Sequence, residues 1–247
     1  MQTATIDKDL IVGTFIKEEK NRFLCLVEVS GIETVCYIPS SCRLSNFLNL
    51  DGRQVLLRPI KSQKARTEYS VFAVKNRKGF IPIDLSIANR VVEKQLNSRG
   101  FSFLGKRKNV IREVMLDGYK TDLYINDTNT IIEIKSILSF NDETVFPTVY
   151  SERAVKQLIK IKELLLQGYT VFYMLVSLNS VVKQITLNQH MTDFYERFLE
   201  CIDLGMHCCG YSIYLRSGIP TVYSKINVYI GTDPVNVDSS KLNTQNK

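Results

Sequence analysis

The hydrophobic period of this chain changes at residues 79–82, Gly-Phe-Ile-Pro, and the change splits it into two folding problems. Before that point, β-branched and aromatic runs recur at 10–17, 23–29, 33–38, 54–60 and 68–75. Turn formers such as Glu18-Glu19-Lys20-Asn21, Ser30-Gly31 and Asp51-Gly52 separate them. Runs this short between turn residues read as strands. Five of them within about 70 residues suit a small barrel of the OB type. An SH3-like barrel has much the same periodicity, so the pattern leaves the barrel type open.

Beyond the boundary the spacing becomes helical. Leu85, Ala88, Val92 and Leu96 share one face, with Ile87 and Val91 beside it. Asp84 is placed to cap this helix and Gly100 to stop it. A basic loop at 105–109 leads to a strand over 110–116 and the hairpin signal Asp117-Gly118. Strands over 119–125 and 130–138 follow, joined by Asn126-Asp127-Thr128-Asn129, and 140–147 reads as a loop. A second helix runs over 151–167, with Ala154, Leu158, Ile161 and Leu165 on its buried stripe. The apolar run 170–178 has strand length and suits a strand buried on both faces of a mixed sheet. A strand at 180–187, a helix at 193–204 and strands at 211–216 and 222–230 complete the series. The polar stretch 231–247 lacks hydrophobic periodicity and is expected to be disordered. The expected organisation is an OB-like barrel over 1–80, a mixed α/β domain over 81–230 and a tail over 231–247. Helix, three strands, helix, strand is the core order of restriction-endonuclease-like folds, although order alone leaves many α/β folds open.

Within the second half, one stretch looks like chemistry. Asp122 lies in the strand expected over 119–125, and Glu133 and Lys135 lie in the next. Strand side chains alternate, so Glu133 and Lys135 point the same way, while Ile132, Ile134 and Ile137 supply apolar contact. Phosphodiester hydrolysis needs an activated water and neutralisation of charge on the phosphate, which a divalent cation held by hard carboxylate oxygens supplies. Asp122 and Glu133 are the expected ligands of Mg²⁺ or Mn²⁺, with the Ile134 carbonyl as a further one and Lys135 stabilising negative charge. The competing account is a solvated strand face with a surface ion pair. Against it stands the setting Ile131-Ile132-Glu133-Ile134-Lys135, where charges are costly to bury unless paired or metal-bound. Glu93, on the first helix, is a candidate to reach a neighbouring site, although position alone favours a solvated surface glutamate.

A formal net charge of +7 points to an acidic partner, nucleic acid first. The cations recur at the barrel turns: Lys17, Lys20 and Arg22; Lys61, Lys64 and Arg66; Lys75, Arg77 and Lys78. Phe15, Phe23, Tyr37, Tyr69 and Phe72 are interleaved with them, so phosphates can pair with the cations and bases can stack on rings. Burial in the barrel core is the alternative for each ring. None of the six cysteines forms a CxxC pair, which disfavours zinc even at His207-Cys208-Cys209. No secretory signal or membrane-spanning run is visible, so reduced thiols in the cytoplasm are expected.

Several of these residues form an ordered set of motifs. Asn21-Arg22-Phe23 and Lys64-Ala65-Arg66-Thr67-Glu68-Tyr69 lie in the barrel half; Ala88-Asn89-Arg90 and Arg112-Glu113-Val114 precede the trio. Thr121-Asp122-Leu123 and Glu133-Ile134-Lys135-Ser136 carry it, and Phe146-Pro147-Thr148-Val149-Tyr150-Ser151-Glu152-Arg153-Ala154-Val155-Lys156 follows. Over about residues 10–215 the chain resembles the sugar fermentation stimulation protein (SfsA) family, an OB-type domain joined to a PD-(D/E)XK nuclease-like domain. The resemblance implies DNA binding by Lys20, Arg22, Phe23, Lys64 and Arg66. It also implies a metal-dependent nuclease site at Asp122, Glu133 and Lys135, supported by Glu93, Glu113, Glu152 and Lys156. Regulation of sugar-utilisation genes, also described for the family, would need DNA binding without cleavage. Thr148 stands where the family has an aspartate, and residues 39–44 depart from its P-N-T-G-S-M loop. Lys120 replaces an arginine and Ala154 a glycine.

Overall fold

The computed structural model describes residues 10–40, 43–77, 79–216 and 219–235. The first six strands are β1 (Ile11–Glu18), β2 (Leu24–Val29), β3 (Ile32–Tyr37), β4 (Gln54–Pro59), β5 (Tyr69–Asn76) and β6 (Gly79–Pro82). They lie in the order β3-β2-β1-β4-β5-β6, and a parallel pairing of Tyr37 with Ser70 joins β3 to β5. β1 thus pairs with both β2 and β4, and β3 closes on β5, which makes a five-stranded barrel of OB type. Register shifts between Phe15 and Lys17 and between Leu56 and Leu57 give the strands the bend that closure needs. A Cβ at Gly13 would lie 2.6 Å from Val27 Cγ1 and 2.9 Å from the Glu28 carbonyl oxygen, so only glycine fits where β1 crosses β2. Phe15, Cys25, Val27, Cys36, Leu57 and Val71 fill the interior.

The expected boundary segment is itself a strand. β6 pairs antiparallel with β5, and Ile81 is buried; its flanking Gly and Pro hid it as a linker. The chain then enters α1 (Ile87–Gln95), four short strands, β7 (Val110–Arg112), β8 (Met115–Leu116), β9 (Tyr119–Lys120) and β10 (Leu123–Ile125), and the long β11 (Thr130–Ile137). After these come β12 (Glu143–Phe146), α2 (Glu152–Leu166), β13 (Thr170–Ser177), β14 (Gln184–Leu187) and α3 (Thr192–Asp203). β15 (His207–Arg216), β16 (Ile219–Ile230) and β17 (Asp233–Pro234) end the described chain; residues 236–247 of the expected tail lie outside it. The second sheet runs β12-β14-β16-β15-β13-β11-β10-β7, with β17 beside β16. The fold is therefore mixed α/β, with β11, β13 and β15 parallel at its centre.

β13 is buried on both faces, as its unbroken apolar run requires. Phe172, Met174 and Val176 join a cluster with α1 and the barrel, whereas Tyr173 and Leu175 join α2 and α3 on the other face. One apolar cluster therefore spans barrel and sheet.

Local corrections concern places where polar residues interrupt a period. The strands expected over 110–116 and 119–125 are each broken in two. Glu113 takes φ 55°, and Asp117 and Gly118 both have positive φ, the backbone of a tight two-residue hairpin turn. Segment 143–146 is the edge strand β12 rather than loop, held parallel to β14. Asp84 does not cap α1 directly. Its carboxylate accepts from the Ser86 amide (3.0 Å) and hydroxyl (2.6 Å) and pairs with Arg90. Ser151 does cap α2, accepting from the Ala154 amide, but Leu164 rather than Leu165 is the fully buried member of its stripe. β15 starts four residues before its expected beginning because His207 to Gly210 pair with β13.

Candidate active site

β11 carries Glu133 and Lys135 on the α2 side, between Ile131 and Ile137, while Ile132 and Ile134 face the barrel side. Asp122 sits in the break between β9 and β10, not within a strand. The break is held by backbone bonds from Glu113 N to Asp122 O and from Thr121 N to Val114 O. Leaving the strand lets the Asp122 carboxylate turn onto β11, where Oδ2 accepts the Ile134 amide at 2.7 Å. Its Oδ1 accepts Asn89 Nδ2 of α1 at 2.9 Å. A bond from Ser136 Oγ to the Leu85 carbonyl ties β11 to the start of that helix.

Glu133 is only 2% exposed. Lys135 Nζ lies 2.6 Å from its Oε1, and the Tyr119 hydroxyl donates to its Oε2. Lys135 Nζ also donates to Gln157 Oε1 of α2 at 2.7 Å and lies over the Tyr173 ring. Both glutamate oxygens are thus bonded, which offsets the cost of burying the charge. Burial, then the neighbouring Glu133, pushes the Asp122 carboxyl up to about 6; the Ile134 amide, Lys135 and Asn89 pull the other way. Burial and Glu133 together hold the Tyr119 phenol above its ordinary range.

Two carboxylates in a desolvated setting, one of which raises the proton affinity of Asp122, form a hard-oxygen donor set whose strain a divalent cation would relieve. Among the described residues no third His, Cys, Asp or Glu completes a metal-binding group. Two protein carboxylates still fit Mg²⁺, which keeps several waters and takes phosphate oxygens.

The supporting residues are distributed differently from expectation. Glu93 lies one turn after Asn89, but its carboxylate pairs with Arg112 at 3.4 Å. Glu113 pairs with Lys120, and Glu152 with Lys156, all with exposed side chains. Among the described residues no side chain of these four bonds to a side chain of the trio, although the Glu113 amide donates to the Asp122 carbonyl, and Thr148 is exposed. Asn89, Tyr119 and Gln157 are the partners that residue-level reading passed over. Gln157 had a signal: it lies between Ala154 and Leu158 on the buried stripe of α2, where the period calls for an apolar side chain.

The barrel cations separate into two groups. Register pairs Leu24 with Tyr37, Tyr37 with Ser70 and Pro59 with Tyr69, so turn 19–23 and loop 60–68 lie at one end. Lys20, Arg22, Lys64 and Arg66 are exposed there. The Arg22 guanidinium lies 4.8 Å from the Phe23 ring, which stacks on Tyr37 at 6.4 Å and 16°. Arg43 donates to the Glu19 and Lys20 carbonyls and braces the turn. Lys75 and Arg77 lie at the other end, by the β5–β6 turn, and Lys78 is outside the described residues. Phe15 and Phe72 are buried and belong to packing, not to this surface.

Cys208 and Cys209 are buried on opposite faces of β15, so they do not form one ligand set with His207, which stacks on Phe172. Cys25, Cys36 and Cys201 are also free and buried; Cys42 lies outside the described residues. No helix among the described residues is long and apolar enough to cross a membrane.

Comparison with known proteins agrees with this architecture. Residues 18–83 match the SfsA N-terminal OB domain, and residues 86–217 match the sugar fermentation stimulation protein RE domain. A sugar fermentation stimulation protein homolog of Caldanaerobacter subterraneus subsp. tengcongensis is 26% identical over 235 residues, covering 91% of this chain and 99% of the relative. A homolog of Clostridium perfringens is 31% identical over 170 residues, covering 66% of this chain and 73% of the relative. The solved structure of Pyrococcus furiosus SfsA in complex with Ca²⁺ superposes with a TM-score of 0.78 at 17% identity, covering 93% of this chain and 100% of that one, which shows a shared fold. By the match of both domain models in order along its length, the chain belongs to the sugar fermentation stimulation protein family.

Proposed function

We propose that this protein binds DNA in the cytoplasm and hydrolyses phosphodiester bonds at Asp122, Glu133 and Lys135, with Mg²⁺ or Mn²⁺ as cofactor. The observation that carries the proposal is the desolvated Asp122–Glu133 pair with Lys135 beside it in an isoleucine-rich strand. Asp122, Glu133 and the Ile134 carbonyl would hold the ion. The Ca²⁺ complex of the Pyrococcus furiosus relative supports a hard, oxygen-seeking cation. When bound, such an ion supplies charge neutralisation on the phosphate and a more acidic water.

The chain's own residues do the positioning. Asn89 and the Ile134 amide fix the Asp122 carboxylate, and Tyr119 fixes Glu133. Gln157 holds the Lys135 ammonium, which donates hydrogen bonds to the reacting phosphate as negative charge develops. Lys20, Arg22, Lys64 and Arg66 bind the backbone at the barrel end, where Phe23 and Tyr37 offer a stacking surface. The test is incubation with single- and double-stranded DNA and RNA, with Mg²⁺, Mn²⁺ or chelator. Metal-dependent cleavage that Asp122→Ala abolishes is the expected result; no cleavage under any condition sinks the proposal.

A second reading, a DNA-binding regulator of sugar-utilisation genes without catalysis, has one observation in its favour: exposed Thr148 provides no acid beside the site. It requires salt-sensitive DNA binding that survives Asp122→Ala and Glu133→Ala, with no cleavage by the wild-type protein.

A further inference from the structure

β15 and β16 continue past the sheet as a two-stranded arm. The last pair of β13 with β15 is Ser177 with Ser212, and β14 meets β16 only from Asn227 onward. Beyond those points the two strands pair with each other, up to Arg216 with Ile219. One face of the arm is anchored: Ile213 and Val222 join the main apolar cluster, and Leu215 packs with Leu56, Phe72 and Phe80 on the barrel flank.

The other face is open. Its aromatic residues are Tyr214 and Tyr223, whose rings meet edge to face at 5.1 Å. Tyr223 is 61% exposed, and neither ring joins an apolar cluster. A register shift between Ser212 and Ile213 leaves Tyr223 as the extra residue on β16, and bulges of this kind re-aim a side chain. Cross-strand packing alone would account for a tyrosine pair, but not for leaving most of one ring in water.

The open face is the face of the acid–lysine centre. Cys208 of β15 packs in the same cluster as Ile131 and Ile137, which flank Glu133 and Lys135. Strand alternation puts Tyr214 on the side of Cys208. Register aligns Lys135 with Leu175 and Leu175 with Gly210, four residues before Tyr214. At ordinary strand rise and spacing, Tyr214 lies roughly 16 Å from Lys135 across this face. The chain from His207 to Thr232 contains no Asp or Glu, so no carboxylate of the arm itself repels a polyanion.

We propose that Tyr214 and Tyr223 form a base-stacking subsite for an unpaired nucleotide a short distance from the bond held at Asp122, Glu133 and Lys135, which makes single-stranded or frayed nucleic acid the preferred substrate class. The proposal rests on the nucleic-acid function above. Duplex bases are already stacked on one another and give an exposed ring nothing to gain; unpaired bases do.

The test uses the full chain, in chelator, with fluorescein-labelled oligo(dT) single strand and a blunt duplex as probes. Tyr223→Ala is expected to weaken single-strand binding about five- to thirty-fold, with Tyr223→Phe close to wild type and duplex binding unchanged. A 5-iodouracil-substituted strand should also photocrosslink to the peptide containing Tyr223. If wild type binds neither probe, both the subsite and the nucleic-acid function fall. If wild type binds both but Tyr223→Ala binds the single strand as tightly, or loses both probes equally, the subsite is wrong and the function stands.

Discussion

Replacing Asp122 with asparagine should make the protein more stable at neutral pH while removing its activity. Burial and Glu133 raise the folded-state pKa from 3.8 to about 6. The folded state therefore holds this proton more tightly than the unfolded chain does. Below about pH 4 the carboxyl is protonated in both states and costs nothing. Between about 4 and 6 the unfolded state ionises first, so stability falls as pH rises; above 6 the full penalty remains. A shift of about two units, at about 1.4 kcal/mol each, sets that penalty near 3 kcal/mol. The asparagine oxygen can still accept the Ile134 amide, but the charge-assisted character of that bond is lost, and Asn89 must turn its amide to meet a donor. The net gain expected for Asp122→Asn at pH 8 is about 1–2 kcal/mol, or several degrees in Tm for a chain of this size. Thermal unfolding in chelator at pH 4 and pH 8 measures it. The penalty at pH 4 should fall to about 0.5 kcal/mol and take most of the gain with it, and Mg²⁺ should shrink the gain at pH 8 by stabilising only the wild-type carboxylate. An equal gain at both pH values, or a loss at pH 8, would refute the reasoning.

Other outcomes follow from the same geometry. Tyr119→Phe leaves the buried Glu133 Oε2 without its donor and should cost about 1–3 kcal/mol in urea denaturation, with cleavage reduced as well. Arg22→Ala should weaken DNA binding across all sequences and lower the slope of log affinity against log salt by about one, whereas Arg77→Ala, at the other barrel end, should leave the slope unchanged. Gly13→Ala forces apart β1 and β2 and should destabilise the barrel by about 1–3 kcal/mol, seen as a lower Tm with near-native spectra.

Much of the fold was legible because it is written in period. The first five barrel strands and all three helices stand within a few residues of where alternation and helical spacing put them. The failures occur where local signals are short or contradictory. β6 was read as a boundary because four residues that begin with Gly and end with Pro carry too little pattern, and only its pairing with β5 makes it a strand. β12 has only two apolar positions, Val145 exposed and Phe146 half-buried, and is fixed by β14, a partner about forty residues away in the chain, which no local window can see. The break at Asp122 is invisible to a strand pattern, since one residue turned out of register leaves the alternation on both sides intact. The closure of β3 on β5 selected the OB barrel where periodicity had left two barrel types open.

The trio itself was legible for a physical reason that its spacing alone does not provide. Acids and lysines are common on exposed strands, but there they cost nothing and need no partners. Here Glu133 is buried, Asp122 is held at a cost near 3 kcal/mol, and Lys135 is drawn in to the Glu133 carboxylate. Apolar residues of similar volume would serve packing as well or better, because a buried ion pair seldom outweighs its desolvation. The neutral groups around the trio sharpen the point. Asn89, Tyr119 and Gln157 come from a helix, a hairpin and a second helix, and each bonds to one charged member. A fold that needed only stability would not have to bring three separate elements to bear on three charges. Positioned charge in a dry site is what phosphoryl chemistry requires, and the proposed function would account for polar side chains at positions where the hydrophobic period of α2 and β11 calls for apolar ones.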